Sequence, residues 1–173
     1  MSLMAKPQWA VERLTANHGF SGFNCGKPPL NTFLKKHALN NQSLGISRTF
    51  VAVRPGSTKV EGYYAISAGS VRFSEGDEEF RRGLPRYPIP VGHLGRLAVD
   101  TPSQGQGLGE TLLLDAFERI LRASDVLAVH AVEVWAKDED AKGFYLKYGF
   151  QALADDPKHL YVPIRLLRKL GLV

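Results

Sequence analysis

The sequence predicts a mixed α/β protein, and three observations support that prediction. Residues 47–55 and 59–73 are rich in β-branched and aromatic residues on either side of a Pro-Gly turn, which is typical of an antiparallel strand pair. Residues 92–99, 107–125 and 126–136 then read as strand, helix and strand. A glycine-rich loop separates the first of these strands from its helix. The combination predicts one mixed central β-sheet flanked by helices.

The N-terminal part of the chain is expected to form one strand and one helix. Residues 9–15 predict the strand, and residues 17–29, rich in Gly, Asn and Pro, indicate a loop. Residues 30–42 predict a helix because their apolar side chains fall on one stripe, made of Leu30, Phe33, Leu34 and Ala38.

The later elements follow from the same patterns. Residues 74–91 are charged and then proline-rich, which excludes a long helix and predicts a surface excursion. The apolar run 126–136 is typical of a strand buried on both faces. Residues 139–148 predict a short helix ended by Gly149, and residues 158–164 predict a last strand.

Length and composition favour a single domain over residues 1–173. The formal net charge of +5 permits an anionic partner without requiring one. The single cysteine, Cys25, excludes an internal disulfide and suits a reducing compartment. The chain has no apolar run of about 20 residues and no signal-peptide pattern, so a cytoplasmic protein is expected. Residues 1–3 precede a second methionine, Met4, and are typical of a cloning remnant.

The glycine-rich loop is the first indication of function. Gly105, Gly107 and Gly109 lie where a strand ends and a helix begins. The first amides of a helix have no intrahelical acceptor and carry part of the helix dipole, so they bind phosphate where no side chain blocks its approach. The loop lacks the Lys-Ser/Thr of a P-loop and the spacing of a dinucleotide fingerprint. These residues alone leave open a simple flexible loop.

Two segments together resemble a known family. Residues 96–117, RLAVDTPSQGQGLGETLLLDAF, resemble motif A of the GCN5-related N-acetyltransferases, the GNAT family, with Gln104, Gly107 and Gly109 at its marked positions. Residues 140–150, DAKGFYLKYGF, resemble the motif that follows it in that family. The resemblance implies the GNAT fold, with splayed fourth and fifth strands forming a notch.

The resemblance also implies acetyl-CoA as the cofactor; no metal is expected. The backbone of Leu97, Ala98 and Val99 is expected to pair with the pantetheine arm, and Phe144 to contact the cofactor. The amides expected to bind the pyrophosphate are those of Gln104, Gly105, Gln106, Gly107, Leu108, Gly109 and Glu110.

Tyr145 matches the tyrosine that, in this family, directs its hydroxyl at the cofactor sulfur. A phenol of pKa about 10 protonates a departing thiolate only in a suitable geometry. A main-chain N–H near Val99 is expected to polarise the thioester carbonyl. A route through Cys25 lacks a recognisable His–Asp partner. His93, His37 and Glu61 are conceivable bases, but the spacing selects none of them, so direct transfer to a neutral amine is the default.

A narrower resemblance concerns the substrate. Residues 23–53, FNCGKPPLNTFLKKHALNNQSLGISRTFVAV, are similar to the N-terminal signature of toxin acetyltransferases from bacterial type II toxin–antitoxin modules. That resemblance implies acetylation of the α-amine of aminoacyl-tRNA, which blocks translation. The partners it implies are a ribbon-helix-helix antitoxin and a second toxin subunit in a homodimer. DNA is expected only through the antitoxin complex, and no membrane is expected.

A tRNA substrate requires basic residues to contact phosphate. The candidates are Lys35, Lys36, Arg81, Arg82, Arg86 and Arg96. The alternative for each is an ordinary solvated surface charge. Two other protein classes also stay open: an N-acetyltransferase for a small molecule or a protein amine, and a non-catalytic acyl-CoA-binding domain.

Overall fold

The computed structural model describes residues 8–171, so the predicted remnant at residues 1–3 lies outside the described part. Over those residues the strands form one sheet of seven, in the order β1-β2-β3-β4-β5-β7-β6. The strands are β1 (Ala10–Arg13), β2 (Arg48–Val53), β3 (Gly62–Val71), β4 (Ile89–Val99), β5 (Ala131–Trp135), β6 (Gln151–Ala152) and β7 (His159–Pro163).

The helices follow the predicted periodicity in most places. They are α1 (Pro28–Thr32), α2 (Ala38–Ser43), α3 (Glu78–Arg81), α4 (Leu108–Ala123), α5 (Glu139–Leu146) and α6 (Ile164–Arg168). A π-helical turn, Phe33–His37, joins α1 to α2, and short 3₁₀ turns lie at Phe73–Glu75 and Thr101–Ser103. The predicted helix 30–42 is therefore present, and it begins earlier because prolines are favourable in a first helical turn.

The strand pairings confirm the mixed sheet. β1 pairs antiparallel with β2, and β7 pairs antiparallel with both β5 and β6. β4 and β5 are parallel, with Val91–Leu94 opposite Ala131–Val134. β4 continues beyond this register to Val99.

The described chain forms two compact units. The first unit contains the residues up to Ala65 together with Arg96–Asp115. The second contains Ile66–Gly95 and the chain from Ala116 onward. The strands β3 and β4 and the helix α4 contribute residues to both. The prediction of one domain over residues 1–173 stays a prediction.

Each unit has its own hydrophobic core. In the first unit, Tyr63 packs edge-on against Phe23 and stacks with Phe33, and its hydroxyl donates to the carbonyl of Leu30 at 2.8 Å. In the second unit, Phe80 packs edge-on against Tyr161, with ring centroids 5.0 Å apart. These contacts hold the N-terminal helices and the surface excursion against the sheet.

The structure corrects the predicted start of the fifth strand. The apolar run was expected to be buried from residue 126, but Val126 is 92% exposed and Leu127 is 61% exposed. Because α4 ends at Ala123, the chain turns through these residues before β5 begins at Ala131. The short elements β6 and α6 were not predicted. The excursion contains no long helix, as expected, and none of the helices in residues 8–171 meets the length and apolarity that crossing a bilayer requires.

Candidate coenzyme and catalytic sites

The glycine-rich loop of the first unit connects the 3₁₀ turn Thr101–Ser103 to α4. Gly105 and Gly107 adopt φ angles of +77° and +86°, in the left-handed region that favours glycine. A Cβ at either position would meet no atom within 4 Å. The two glycines are therefore required by the backbone conformation, and they leave the loop surface open.

The backbone amides of this loop divide into two groups. The N–H of Gln104 donates to the carbonyl of Thr101 at 3.3 Å, so it is engaged within the turn. Within the described part of the chain, no backbone hydrogen bond outside regular elements uses the amides of Gly105, Gln106 or Gly107. They precede Leu108, the first residue of α4, at a helix start where amides without an intrahelical acceptor suit an anion.

The side chain of Gln104 ties the loop to neighbouring segments. Its Nε2 donates to the carbonyl of Val99 at 2.9 Å and to that of Cys25 at 3.2 Å. Leu97 and Val99 are half-buried at the end of β4, and Ala98 is buried. The predicted pantetheine-pairing residues and the predicted phosphate loop are therefore joined by direct contacts within the first unit.

A buried carboxylate supports the same loop. Glu61 is 8% exposed, and its carboxylate accepts hydrogen bonds from Ser103 Oγ at 2.8 Å, Arg54 Nε at 3.2 Å and Trp9 Nε1 at 3.4 Å. The Arg54 guanidinium lies over the Trp9 ring and donates to Gln106 Oε1 at 3.3 Å. Glu61 thus bonds Ser103, just before the loop, directly, and Gln106, within the loop, through Arg54.

The environment of Glu61 argues against its role as a base. Burial raises the pKa of its carboxyl, but hydrogen bonds from Ser103 and Trp9 and the charge of Arg54 outweigh burial, so the pKa is lowered. An ionised carboxylate with these donors is a support for the loop. Arg54, Ser103 and Trp9 were missed in the sequence because no short-range spacing links them.

Tyr145 lies on α5 in the second unit. The Asp138 side chain caps this helix by accepting from the N–H of Ala141 at 2.8 Å, and Gly149, with φ of +92°, follows the helix end. The Tyr145 ring packs against Phe144 and Phe150, with centroids 5.3 Å away in both cases. Aromatic packing therefore fixes the ring.

The Tyr145 hydroxyl has a different environment from its ring. Among the described residues, the buried side-chain oxygens that lack a hydrogen bond are Ser47 Oγ and Thr49 Oγ1, and no protein group bonds the Tyr145 hydroxyl. The hydroxyl is therefore without a protein partner among the described residues, and the residue is 6% exposed. Burial raises the pKa of Tyr145, so the phenol stays protonated across the physiological range.

The predicted basic residues fall into three environments. Lys35 and Lys36 are exposed on the π-helical turn, and Arg82 and Arg86 are exposed in the excursion. The Arg81 guanidinium donates to the carbonyls of Phe73 and Ser74, so it holds the excursion together. The Arg96 guanidinium lies 3.7 Å from the centroid of the Phe33 ring, as a cation–π contact within the first unit.

Four titratable side chains of the second unit form a continuous network. His93 Nδ1 lies 2.6 Å from Glu133 Oε2, and His159 Nε2 lies 2.7 Å from Glu133 Oε1. His159 Nδ1 lies 2.8 Å from Asp155 Oδ2. The sequence pointed to His93 alone, because His93, Glu133 and His159 come from three separate strands.

Hydrogen bonding shifts the pKa values of two groups in this network, Glu133 and His159. Burial raises the pKa of Glu133, but hydrogen bonds from His159 and His93 outweigh it and lower the pKa to about 2. Burial lowers the pKa of His159, but its bonds to Glu133 and Asp155 raise it above the usual value. Glu75, Asp155 and His159 bring potential metal-ligand atoms within 4.8 Å of one another. Both ring nitrogens of His159 already face carboxylates, so the arrangement suits protons better than a metal.

Cys25 does not have the surroundings of a nucleophile. Its thiol is partly buried and lies 3.6 Å from the carbonyl of Lys27, to which it donates. Among the described residues, no histidine is hydrogen bonded to it.

Comparisons with known proteins agree with this geometry. Residues 46–152 match the family model described as an acetyltransferase (GNAT) domain. A tRNA-acetylating toxin of Mycobacterium tuberculosis is 38% identical over 161 residues, covering 93% of this chain and 95% of that protein.

Two solved structures are similar over nearly the whole chain. AtaT complexed with acetyl-methionyl-tRNAfMet is 30% identical, with a TM-score of 0.87 over 94% of this chain and 99% of that chain. A tyrosine-to-phenylalanine mutant of the AtaT toxin, bound to the C-terminus of the antitoxin AtaR and to acetyl-CoA, is 29% identical. Its TM-score is 0.82, over 95% of this chain and 99% of that chain. The chain belongs to the GNAT family of acetyltransferases.

Proposed function

We propose that this protein is a toxin that transfers an acetyl group from acetyl-CoA to the α-amine of aminoacyl-tRNA. The observation that carries the proposal is the open, left-handed glycine loop at the start of α4, in a chain 38% identical to a tRNA-acetylating toxin. Acetylation removes the nucleophilic amine that peptide-bond formation needs, so translation would stop.

The first unit supplies the coenzyme contacts in this proposal. The amides from Gly105 onward would bind the diphosphate, while the backbone of Leu97–Val99 would pair with the pantetheine arm. Bound acetyl-CoA would supply an activated thioester. Gln104 and Glu61 keep the loop in shape through the hydrogen bonds described above. Phe144 stays a predicted cofactor contact.

Tyr145 is the proposed proton donor to the departing sulfur. The lack of a protein hydrogen bond to its hydroxyl and its raised pKa support a neutral donor that is present throughout the physiological pH range. Its packing against Phe144 and Phe150 supports a fixed orientation.

The tRNA contacts of the proposal are the exposed basic residues. Lys35, Lys36, Arg82 and Arg86 are available for phosphate. Arg96 contacts the Phe33 ring, and Arg81 donates to backbone carbonyls. Each would have to give up these contacts in order to bind phosphate fully. The proposal includes a ribbon-helix-helix antitoxin and a second toxin subunit as partners, with DNA reached through the antitoxin, in the cytoplasm.

The test is incubation with labelled acetyl-CoA and total charged tRNA, followed by identification of N-acetyl-aminoacyl products. We expect Tyr145→Phe to lower turnover about 100-fold or more, a typical general-acid contribution, while coenzyme A binding measured by calorimetry is retained. Tyr87→Phe is the matched control, because Tyr87 is 63% exposed on the excursion.

Ionic strength distinguishes the proposed substrate from a small amine. Acetylation of tRNA should decline steeply with salt, because phosphate contacts release counterions. The proposed substrate would be contradicted if the label appeared in a polyamine or a peptide and not in RNA, and if the activity did not change with salt. Such a result would leave the reaction type, acetyl transfer, unchanged.

A further inference from the structure

We propose that His93 accepts the proton of the acceptor amine, and that Glu133, His159 and Asp155 form a buried relay that positions its imidazole; the identity of the amine rests on the proposed function. Three observations carry this inference: the position of His93 in β4, the orientation of its ring, and the burial of the groups behind it.

His93 lies close to the point where β4 and β5 stop pairing. The parallel register covers four residue pairs, and His93 opposite Glu133 is the third. β4 then continues to Leu97–Val99, the proposed pantetheine-pairing residues. In the GNAT fold these two strands splay apart to form the notch for thioester and amine. His93 therefore lies on one of the two strands that form this notch.

The hydrogen bond to Glu133 selects the useful tautomer of His93. A carboxylate only accepts, so Nδ1 carries the proton and Nε2 of the neutral ring keeps its lone pair. Among the described residues, no hydrogen bond occupies Nε2, and the side chain is 34% exposed. The free nitrogen is therefore the one available to a substrate.

The groups behind His93 are buried and hydrogen bonded at both ends. The side chains of Glu133 and His159 are 7% and 3% exposed, and Asp155 closes the chain at 25% exposure. The Trp135 ring stacks on His159 at 4.0 Å between centroids. The titratable groups facing the network are Glu133 on β5, His159 on β7, Asp155 in the segment before β7, and Glu75. A short, fixed chain of this kind stabilises an imidazolium that forms at His93.

The amine nitrogen forms a bond to the acetyl carbon, and the bond from that carbon to sulfur breaks. The protonated amine loses two protons: the one lost before the attack passes to Nε2 of His93, which later releases it to water, and the one lost after the attack passes to water. The departing sulfur takes a proton from the Tyr145 hydroxyl, which regains one from water. His93 and Tyr145 therefore serve opposite ends of the transfer.

The test compares pH profiles of single-turnover acetyl transfer for the wild-type protein and for His93→Gln, with the acceptor and acetyl-CoA saturating. An α-amine of pKa about 7.7–8.0 is mostly protonated at pH 6.5, so without the base we expect a deficit of about 20-fold there. The deficit should shrink to about 2-fold at pH 9, where the amine is already neutral. Imidazole should restore activity to His93→Ala at pH 6.5.

Several outcomes would overturn the inference. Profiles of His93→Gln and wild type that run parallel from pH 6.5 to 9, with no rescue of His93→Ala by imidazole, would exclude a proton-accepting role. If His37→Gln, and not His93→Gln, lost acetyl-transfer activity at low pH, the base would be His37, which is exposed on the π-helical turn. Thermal unfolding and coenzyme A binding of each variant verify that it is folded.

The same experiment separates this inference from the proposed function. If the wild-type protein acetylates another amine and no charged tRNA, the substrate proposal fails. The two pH profiles are then measured on that amine and decide the role of His93 by themselves.

Discussion

Two buried carboxylates, one in each compact unit, have contrasting surroundings. Glu61 and Glu133 are 8% and 5% exposed, and both have pKa values below the usual one. Glu61 accepts from an arginine, a tryptophan and a serine. Glu133 accepts from two histidines.

The difference lies in what the partners can do. The donors around Glu61 do not titrate near neutral pH, so that carboxylate holds a fixed geometry beneath the glycine loop. The histidines around Glu133 can gain and lose protons, so that carboxylate responds to a change of charge at its partners. A buried acid can therefore support either a coenzyme loop or a proton transfer, and its donors indicate which.

Glu133→Gln should have the largest effect on stability. Removing the charge leaves His159 buried with a weaker partner, and breaking a buried pair costs about 3–5 kcal/mol. We expect urea unfolding at pH 7 to show a loss of this size. Glu118→Gln is the matched control, since Glu118 pairs with Arg122 on the surface of α4, and such pairs contribute about 0.3–0.5 kcal/mol.

The stabilisation from Glu133 should also depend on pH in a defined direction. Its folded-state pKa of about 2 lies below the unfolded value of about 4.3. The contribution is therefore fully present above pH 4.3 and declines as the pH falls towards 2. The gap in unfolding free energy between the wild-type protein and Glu133→Gln should narrow between pH 4.5 and 2.5. A constant gap would contradict the assigned pKa.

Glu61→Gln should have a smaller and more selective effect. We expect a loss of about 2 kcal/mol, because the glutamine keeps some hydrogen bonds but leaves the charge of Arg54 uncompensated. The KM for acetyl-CoA should rise about 10-fold as the loop loses its support. The KM for S-acetylpantetheine, which lacks the diphosphate, should change little. An equal rise for both substrates would show that Glu61 does not act through the loop.

The sequence was informative where a feature depends on neighbouring residues. Gly105, Gly107 and Gly149 have positive φ angles, and the α5 motif places Tyr145 one residue after Phe144. Such features follow from local backbone preference, so a motif can report them.

The sequence was uninformative where a feature depends on sheet register. Glu61 and Ser103 are 42 residues apart, and His93 and Glu133 are 40 residues apart. Only the pairing of β4 with β5 brings the second pair together, and no local pattern specifies that register. The prediction of a buried strand from residue 126 was wrong for a different reason. Val126 and Leu127 are apolar, as in a buried strand, but they lie in an exposed turn.

Two glycine substitutions give the smallest expected effects and separate the loop's own conformation from the support that Glu61 provides. Gly107→Ala places a side chain at φ of +86°, which costs about 1–2 kcal/mol and should weaken coenzyme A binding. Gly143→Ala, in α5 with open space around its Cβ, should stabilise the protein by about 1 kcal/mol. Differential scanning calorimetry should therefore show a lower unfolding temperature than wild type for Gly107→Ala and a higher one for Gly143→Ala. If Gly107→Ala left coenzyme A affinity unchanged, the loop would not be the diphosphate site. Glu61 would then support only a turn of the backbone and not coenzyme binding.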